Sequence, residues 1–462
     1  MNASDDTIAA IATAAGEAGI SIVRVSGAKS LEIADRIFCC AGDPPSQRKG
    51  GTFVYGKISG VTPDCGAKAI DIDEVLLLIF RAPHSYTRED VVEIQGHGGL
   101  VSAQRILRRL FDLGARSAEP GEFTKRAFLN GRLDLTQAEA VMDLVRASSE
   151  RAASAAMEQL GGALTRWSIT TYAKLVSVIA GVEAALDFPD DEMPPILVPE
   201  SLRGVEEILD DLKGMLATWG EGHILRDGAL TVISGKPNVG KSTLFNALLG
   251  HDRAIVTNQP GTTRDTIEEG LLINGILLHL VDTAGLRETS CDIEHQGIAR
   301  ARLQMKKADL HVHVLDASQP ISVEDQAELD RLPPDKTIVV LNKIDLGALI
   351  KPADIQEHTV IPVCLLKTQD VNNLKITLAG KLMKHVHGPV RSVISERHRQ
   401  IIVTTTHSVS EARLLLSTGK EDVLVPAASL LRSAAEALAT LTGQKYYDDL
   451  LDLVFSRFCV GK

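Results

Sequence analysis

Eight consecutive residues near the middle of the chain have the pattern of a phosphate-binding loop. Gly235 to Ser242 reads G-x-x-x-x-G-K-S, follows an apolar run predicted to be a strand, and precedes a predicted helix. Glycines let backbone N–H groups face phosphate oxygens, while Lys241 is placed for the β- and γ-phosphates and the Ser242 hydroxyl for Mg²⁺. The pattern predicts a site for a nucleoside triphosphate.

Three further motifs follow in the order that a guanine nucleotide needs. Gly261 to Asp265 supplies a threonine, assigned as Thr263, for the Mg²⁺ shell, and Asp282 to Gly285 supplies an acid and a glycine N–H near the γ-phosphate. The carboxylate of Asp345 can accept both hydrogen bonds from the guanine edge, a pattern that adenine lacks. The predicted nucleotide is GTP, with these contacts: Asn238, Val239, Gly240, Lys241, Ser242, Thr243, Thr257, Asn258, Gln259, Pro260, Gly261, Thr262, Thr263, Asp282, Thr283, Ala284, Gly285, Asn342, Lys343 and Asp345.

Two positions depart from the common GTPase pattern. A guanine loop of Ser-Ala-Lys type is expected near Pro362, but residues 364–367 read Cys-Leu-Leu-Lys, which predicts weaker nucleotide binding or a remodelled loop. Leu286 stands where Ras-like GTPases carry the glutamine that positions water. The residue types leave three acids open for that role, each with a solvated acidic loop as the alternative: Glu288, Asp292 and Glu294.

The elements around these motifs indicate three kinds of domain. Strands alternate with helices from Ala229 to about Lys384, which predicts an α/β domain with a largely parallel sheet. Helical composition lies on both sides of it, interrupted at Gly161-Gly162, and a capping box is predicted at Thr136 to Glu139. The predicted fold class is an α/β P-loop GTPase domain inserted in an all-α helical domain and preceded by an α+β domain. The predicted segments are 1–130, 131–222, 223–384 and 385–462.

Composition excludes several classes of protein. The chain has 462 residues, 44% of them hydrophobic and 24% charged, which excludes disorder throughout. A net charge of −11 excludes a basic nucleic-acid coat. None of the six cysteines forms a C-x-x-C pair, so neither a zinc knuckle nor a disulfide framework is predicted. The acidic N-terminus and the lack of an apolar run of about 20 residues predict a soluble, cytoplasmic protein without a membrane span.

Motifs outside the α/β domain resemble one family, the tRNA-modification GTPases called MnmE (TrmE). The resemblance covers essentially the whole chain and is most specific in its flanks. It is carried by these stretches: Asp6-Thr7-Ile8-Ala9-Ala10, Ile22-Val23-Arg24-Val25-Ser26-Gly27, the run from Ser85 to Gly99 that includes Gln95-Gly96-His97-Gly98-Gly99, the run from Pro120 to Gly131, and Phe458-Cys459-Val460-Gly461-Lys462.

The resemblance implies how GTP is hydrolysed. The family hydrolyses GTP after the G domains of a homodimer meet across a K⁺ ion, which takes the role of an arginine finger. The implied K⁺ ligands are Asn238, Thr257, Gln259 and Thr262. The family's water-orienting acid falls on Glu294, which selects one of the three acids left open above.

The resemblance also implies a tetrahydrofolate site. The family's N-terminal domain dimerises and binds 5,10-methylenetetrahydrofolate, with 5-formyltetrahydrofolate as an analogue, and the matching residues are Arg24, Glu93, Arg132 and Lys462. Arg132 stands where the family often has lysine. Residues 14–15 are Ala-Ala rather than Pro-Pro, and residues 17–19 are Glu-Ala-Gly rather than Arg-Gly-Gly. Cys459 is either a nucleophile for C6 of uridine or a small residue in a packed tail.

The implied function is modification of tRNA. Together with an FAD-dependent partner, in a heterotetramer or larger complex, the protein would add a carboxymethylaminomethyl or aminomethyl group at C5 of the wobble uridine. One alternative is a regulatory GTPase switch in ribosome assembly, which leaves the N-terminal motifs and the C-terminal tail without a role. Another is a folate enzyme under GTP control that acts on a small molecule.

Overall fold

The computed structural model describes residues 6–60, 71–187, 197–250, 268–282, 307–383, 395–446, 448–456 and 458–462. The chain divides into two compact units, residues 1–142 with 438–462, and residues 143–437. The predicted segment boundaries stay predictions.

The first unit is built on a seven-stranded sheet. Its strands are β1 (Ile8–Ile11), β2 (Ile20–Ser26), β3 (Phe38–Cys39), β4 (Thr52–Ser59), β5 (Asp71–Phe80), β6 (Val91–His97) and β7 (Arg116–Ser117). The strand order is β3-β4-β5-β6-β2-β1-β7, with β1 and β7 parallel and the other neighbours antiparallel.

Period-2 alternation gives this sheet one apolar face. Val23, Val25 and Ile94 are buried in a core that also includes residues of α1 (Ser30–Ile37) and α2 (Leu100–Asp112). Arg24 and Glu93, which alternate with these residues and are paired across β2 and β6, therefore point to the opposite face.

Two helices continue the chain after the sheet, α3 (Glu122–Leu129) and α4 (Leu135–Arg146). The predicted capping box at Thr136 is wrong by two residues. The Asp134 carboxylate accepts a hydrogen bond from the Gln137 backbone N–H at 2.9 Å, and the Gln137 side chain accepts one from the Asp134 N–H at 3.0 Å. This reciprocal pair closes the start of α4, so Thr136 lies inside the helix.

Four helices follow, α5 (Glu150–Leu160), α6 (Ala163–Asp187), α7 (Leu197–Ala217) and α8 (Trp219–Asp227). The predicted interruption at Gly161-Gly162 is confirmed. The chain turns at Thr218, so that Trp219 begins α8.

The second sheet alternates with helices, as predicted. Its elements are β8 (Ala229–Ser234), α9 (Lys241–Leu249), β9 (Glu268–Ile273), β10 (Ile276–Asp282), β11 (Leu310–Asp316), α10 (Val323–Leu329), β12 (Thr337–Asn342), β13 (Thr359–Pro362) and α11 (Thr368–Met383). The order β13-β12-β11-β8-β10-β9 is parallel except for the hairpin β9–β10. The carboxyl ends of β8, β11 and β12 therefore share one edge.

The last helices are α12 (Glu396–Leu416), α13 (Leu424–Leu441) and α14 (Asp448–Phe455). In the second unit, α7 packs against both α6 and α12. Among the described residues, Ala163–Leu186 and Leu424–Leu441 are long and apolar enough to span a membrane, which is weak evidence because core helices of soluble proteins share these properties. The arrangement confirms the predicted fold class.

Candidate functional site

The phosphate-binding loop joins β8 to α9 with an unusual backbone. Gly235 has φ of +134°, Asn238 +62° and Gly240 +108°. A Cβ at Gly235 would lie 2.4 Å from the Val314 carbonyl oxygen, and one at Gly240 would lie 2.3 Å from Asn342 Nδ2. Both glycines are therefore required by conformation and by space.

The side chains of this loop divide into anchored and accessible groups. The Lys241 ammonium is buried and donates a 2.6 Å hydrogen bond to the Lys236 carbonyl oxygen. Ser242 and Thr243, at the start of α9, are exposed, as is Asn238. The exposed hydroxyls stand at a helix N-terminus, where anions and their metal ions bind favourably.

Two of the predicted nucleotide contacts, Asn342 and Lys343, also support the phosphate-binding loop. Asn342 Nδ2 donates to the Val239 carbonyl at 2.9 Å, and Lys343 Nζ donates to the Asn238 carbonyl at 2.9 Å. Lys343 also pairs with Asp316 at 2.6 Å. Burial raises the pKa of Asp316, but hydrogen bonds from Lys343 and Ser318 outweigh it and hold the pKa below 3.8. Sequence reasoning missed Asp316, which ends β11 at the shared sheet edge.

Some of the remaining predicted nucleotide contacts lie among the described residues. Asp345 is exposed on a short 3₁₀ turn, Ile344–Leu346. In the loop at residues 364–367, which replaces the expected Ser-Ala-Lys pattern, the Cys364 N–H donates to the Asp370 carboxylate at 2.9 Å, and the side chain of Leu366 is exposed. Asp282 ends β10. The other predicted contacts lie outside the described residues: Thr257, Asn258, Gln259, Pro260, Gly261, Thr262, Thr263, Thr283, Ala284, Gly285 and Glu294.

A second cluster lies in the first unit, on the sheet face away from the core. Arg24 Nε and Glu93 Oε1 are 2.8 Å apart, and both side chains are mostly buried. The Arg24 guanidinium lies 5.4 Å from the centroid of the Tyr86 ring, and the Arg132 guanidinium lies 4.8 Å from it. Tyr86 therefore stands between two cations.

Tyr86 is itself held in place. Its hydroxyl is 2.9 Å from Thr124 Oγ1, and its carbonyl accepts a 2.8 Å hydrogen bond from Arg132. Burial raises the pKa of Tyr86 despite Thr124, Arg24 and Arg132, so the ring stays neutral. Tyr86 lies within the Ser85–Gly99 motif, but its position between the arginines could not be read from spacing.

A pocket of about 520 Å³ opens beside this cluster, within the size range of small-molecule sites. It is lined by Phe80, Pro83, His84, Ser85, Tyr86, Arg88, Val91, Glu93 and Arg132. The structure thus places Glu93 and Arg132 in one pocket wall, with Arg24 paired to Glu93.

The C-terminal tail reaches the same cluster. Arg24 donates to the Gly461 carbonyl at 3.2 Å, and the Gly121 N–H donates to the Cys459 carbonyl at 3.4 Å. Lys462 is half-buried, and burial, followed by the nearby Arg24 charge, lowers its pKa below 10.5 although Glu93 and Cys459 oppose the shift. The Cys459 side chain is exposed.

Comparisons with known proteins indicate one family along nearly the whole chain. A family model described as the MnmE helical domain matches residues 135–459, and one described as the GTP-binding protein TrmE N-terminus matches residues 7–132. The tRNA modification GTPase MnmE of Geotalea uraniireducens is 42% identical over 99% of this chain and 99% of its own length. Those of Moorella thermoacetica and Lactiplantibacillus plantarum are each 41% identical over 99% of this chain, covering 100% and 98% of their own lengths.

Among solved structures, the G domain of the T. maritima FeoB iron transporter is 28% identical. The match covers 34% of this chain and 99% of that one, with a TM-score of 0.26.

Proposed function

The chain belongs to the MnmE (TrmE) family and is a GTP hydrolase of tRNA modification, and on that premise we propose that it modifies the wobble uridine of certain tRNAs. K⁺-dependent GTP hydrolysis by a homodimer works together with an FAD-dependent partner, in a heterotetramer or larger complex in the cytoplasm. The product carries a carboxymethylaminomethyl or aminomethyl group at C5, built with a one-carbon unit from 5,10-methylenetetrahydrofolate.

The convergence of Arg24, Glu93 and Arg132 around Tyr86 carries the folate part of this proposal. A folate has a pterin ring with N–H donors at one end and carboxylates at the other. Glu93 suits the donors, and the guanidinium groups suit the carboxylates. The pocket of about 520 Å³ that Glu93 and Arg132 line has room for such a ligand.

The folate would supply a one-carbon unit when bound, and the protein's own residues would hold it in place. Arg24 fixes the Glu93 carboxylate at 2.8 Å, so that this group is already oriented before a ligand enters. Arg24 also ties down the Gly461 carbonyl, which keeps Lys462 close to the cluster. Lys462 then adds an ammonium group to the two guanidinium groups that suit a folate carboxylate.

The exposed thiol of Cys459 supports its proposed role as a nucleophile. A small residue that only fills space in a packed tail would be buried, whereas this side chain faces solvent two residues before Gly461. In the proposed step a Cys459 thiolate attacks C6 of the uridine, and the electron pair of the C5–C6 bond makes C5 nucleophilic. A Cys459→Ser variant that retains full tRNA modification contradicts this role.

In the nucleotide site, Lys241 would bind the β- and γ-phosphates, and Ser242 with Thr263 would hold Mg²⁺. Asn238 offers an exposed, neutral side-chain oxygen in the loop, which is the type of ligand that K⁺ accepts. With Thr257, Gln259 and Thr262 it would place a cation where negative charge develops on the phosphates. Glu294 would orient the attacking water.

Binding of 5-formyltetrahydrofolate to the full chain tests the folate site. We expect Glu93→Gln to weaken binding at least about tenfold, because the neutral amide loses the charge-assisted hydrogen bonds. Glu74→Gln, on the neighbouring strand β5, removes an exposed carboxylate instead and should bind as the wild type does. Equal affinities for all three proteins would contradict the role of Glu93, and no binding to any of them would favour the ribosome-assembly switch.

GTP hydrolysis in K⁺ and in Na⁺ tests the nucleotide half. We expect faster turnover in K⁺, and we expect Asn238→Ala to remove most of that difference while leaving GDP affinity within a few-fold. Equal rates in both salts would contradict the cation-dependent homodimer.

A further inference from the structure

One buried histidine contacts the strand that leads into the phosphate-binding loop. β11 and β8 are parallel neighbours, and His313 is paired in register with Ser234, the residue just before Gly235. His313 is fully buried, and its Nδ1 lies 2.9 Å from the Ser234 hydroxyl oxygen, which is also buried. A hydrogen bond joins the two atoms in either neutral tautomer, with the hydroxyl or the ring as donor.

The next residue pair continues this contact. Gly235 packs so closely on β11 that an added Cβ would lie 2.4 Å from the Val314 carbonyl oxygen. The chain leaves β8 at Gly235 with φ of +134°, so the direction of the loop is set at this point. Two successive residues of β11 therefore hold two successive residues at the loop entry, one through a side chain and one through backbone contact.

We propose that His313 is a positioning residue for GTP binding, which fixes the entry of the phosphate-binding loop through its hydrogen bond to Ser234. The loop's backbone N–H groups bind phosphate only when their directions are fixed beforehand. An apolar residue at position 313 would leave the buried Ser234 hydroxyl without this partner and would let the loop entry shift. The proposal depends on the GTPase activity of the family and is independent of the folate chemistry.

A neighbouring histidine provides the contrast. His311 lies two residues earlier on β11, so its side chain is on the same face, and it is also buried. It is paired in register with Val232, which has no polar side-chain group, and among the described residues its Nδ1 has no hydrogen-bond partner. Burial of a histidine at this face is thus shared by both positions, whereas the contact with the loop entry belongs to His313.

The surroundings keep the His313 ring neutral. Burial is the main reason that its pKa lies below 6.5, and the charges of His358 and Lys241 act in the same direction. Asp325 and Glu328 on the α10 side oppose the shift. These two carboxylates favour a cationic ring, but burial outweighs them. The contact with Ser234 is therefore one of a neutral ring.

The test measures the affinity of the full chain for a fluorescent GDP derivative. We expect His313→Leu to raise the dissociation constant about tenfold, which corresponds to about 1.4 kcal/mol. KM for GTP should rise while kcat at saturating GTP changes little, since the chemical groups are untouched. His313→Asn should restore most of the affinity, because its amide places a polar atom near the position of Nδ1. His311→Leu should remain within about twofold of the wild type.

A double-mutant cycle separates positioning from folding. Ser234→Ala removes the same bond from the other side, and combined with His313→Leu it should cost little more than either change alone.

The proposal is overturned if His313→Leu and Ser234→Ala both bind GDP as the wild type does, or if His311→Leu loses as much affinity as His313→Leu. If His313→Leu does not fold, as judged by circular dichroism, Ser234→Ala decides the question alone.

Discussion

The phosphate-binding loop and the N-terminal pocket are assembled in opposite ways. The loop is a run of consecutive residues from Gly235 to Ser242, and its shape depends on left-handed backbone at Asn238 and two glycines. The pocket cluster joins residues that are far apart in the chain, since the contact between Arg24 and Gly461 spans 437 positions.

The difference determines what each site tolerates. The loop depends on backbone conformation and on space, so that a single added methyl group is a severe change. The pocket cluster depends on buried charges that balance one another and on a tail that must dock against the unit. It therefore responds to the removal of a charge or to any loosening of the tail.

The largest expected effect is a loss of GDP affinity that leaves folate affinity unchanged. Gly235→Ala places a Cβ 2.4 Å from the Val314 carbonyl oxygen in a conformation that alanine disfavours. We expect the affinity for GDP to fall about 100-fold or more, with 5-formyltetrahydrofolate binding unchanged. Isothermal titration with each ligand checks both statements. A parallel loss of folate binding would mean that the two sites are not independent.

Removal of a buried charge should be the next largest effect. Arg126 has a side chain only 7% exposed and pairs with Glu122 at 2.9 Å, Glu89 at 3.2 Å and Asp6 at 2.7 Å. Arg126→Met removes the guanidinium that these three carboxylates share, and we expect the free energy of unfolding to fall by about 3–5 kcal/mol. Arg116→Met, at a side chain 43% exposed, should cost about 1 kcal/mol or less. Urea denaturation measures both, and equal losses would contradict this ranking.

Loosening the tail should affect only the pocket. A Cβ at Gly461 would lie 2.4 Å from the Ile11 carbonyl oxygen, and its φ is +100°. We therefore expect Gly461→Ala to displace Lys462 and to weaken 5-formyltetrahydrofolate binding by about 10-fold, or about 1.4 kcal/mol. GTP hydrolysis by the same variant should keep the wild-type rate. Wild-type folate affinity would show that the docked tail is not needed.

The smallest expected effect is a pH dependence of the pocket. Burial, followed by the nearby Arg24 charge, lowers the pKa of Lys462. As the pH rises, this ammonium therefore loses its proton earlier than an ordinary lysine, whose pKa is 10.5. Folate affinity should therefore fall a few-fold as pH rises through that lowered pKa. Lys462→Arg keeps its charge at alkaline pH and should flatten the profile. Identical profiles for both proteins would assign the change to another group.

The sequence anticipated the second sheet well. Its alternation of strands with helices follows from apolar runs and turn residues, which act over short distances. The start of α4 was misplaced because Asp134 and Thr136 are both good caps, and only the observed bond to the Gln137 N–H distinguishes them. The role of Asn342 and Lys343 as supports of the loop was not predictable, because it depends on how β12 pairs with β11 and β11 with β8.

By itself, the sequence determined the phosphate-binding loop, its preference for guanine and the family, because these depend on residue types in a fixed local order. The tertiary structure decided that Tyr86 stands between Arg24 and Arg132, that Lys462 comes to the same cluster, and that His313 rather than His311 touches the loop entry. Such contacts join distant parts of the chain, so they depend on strand register and tail docking, which no local pattern specifies.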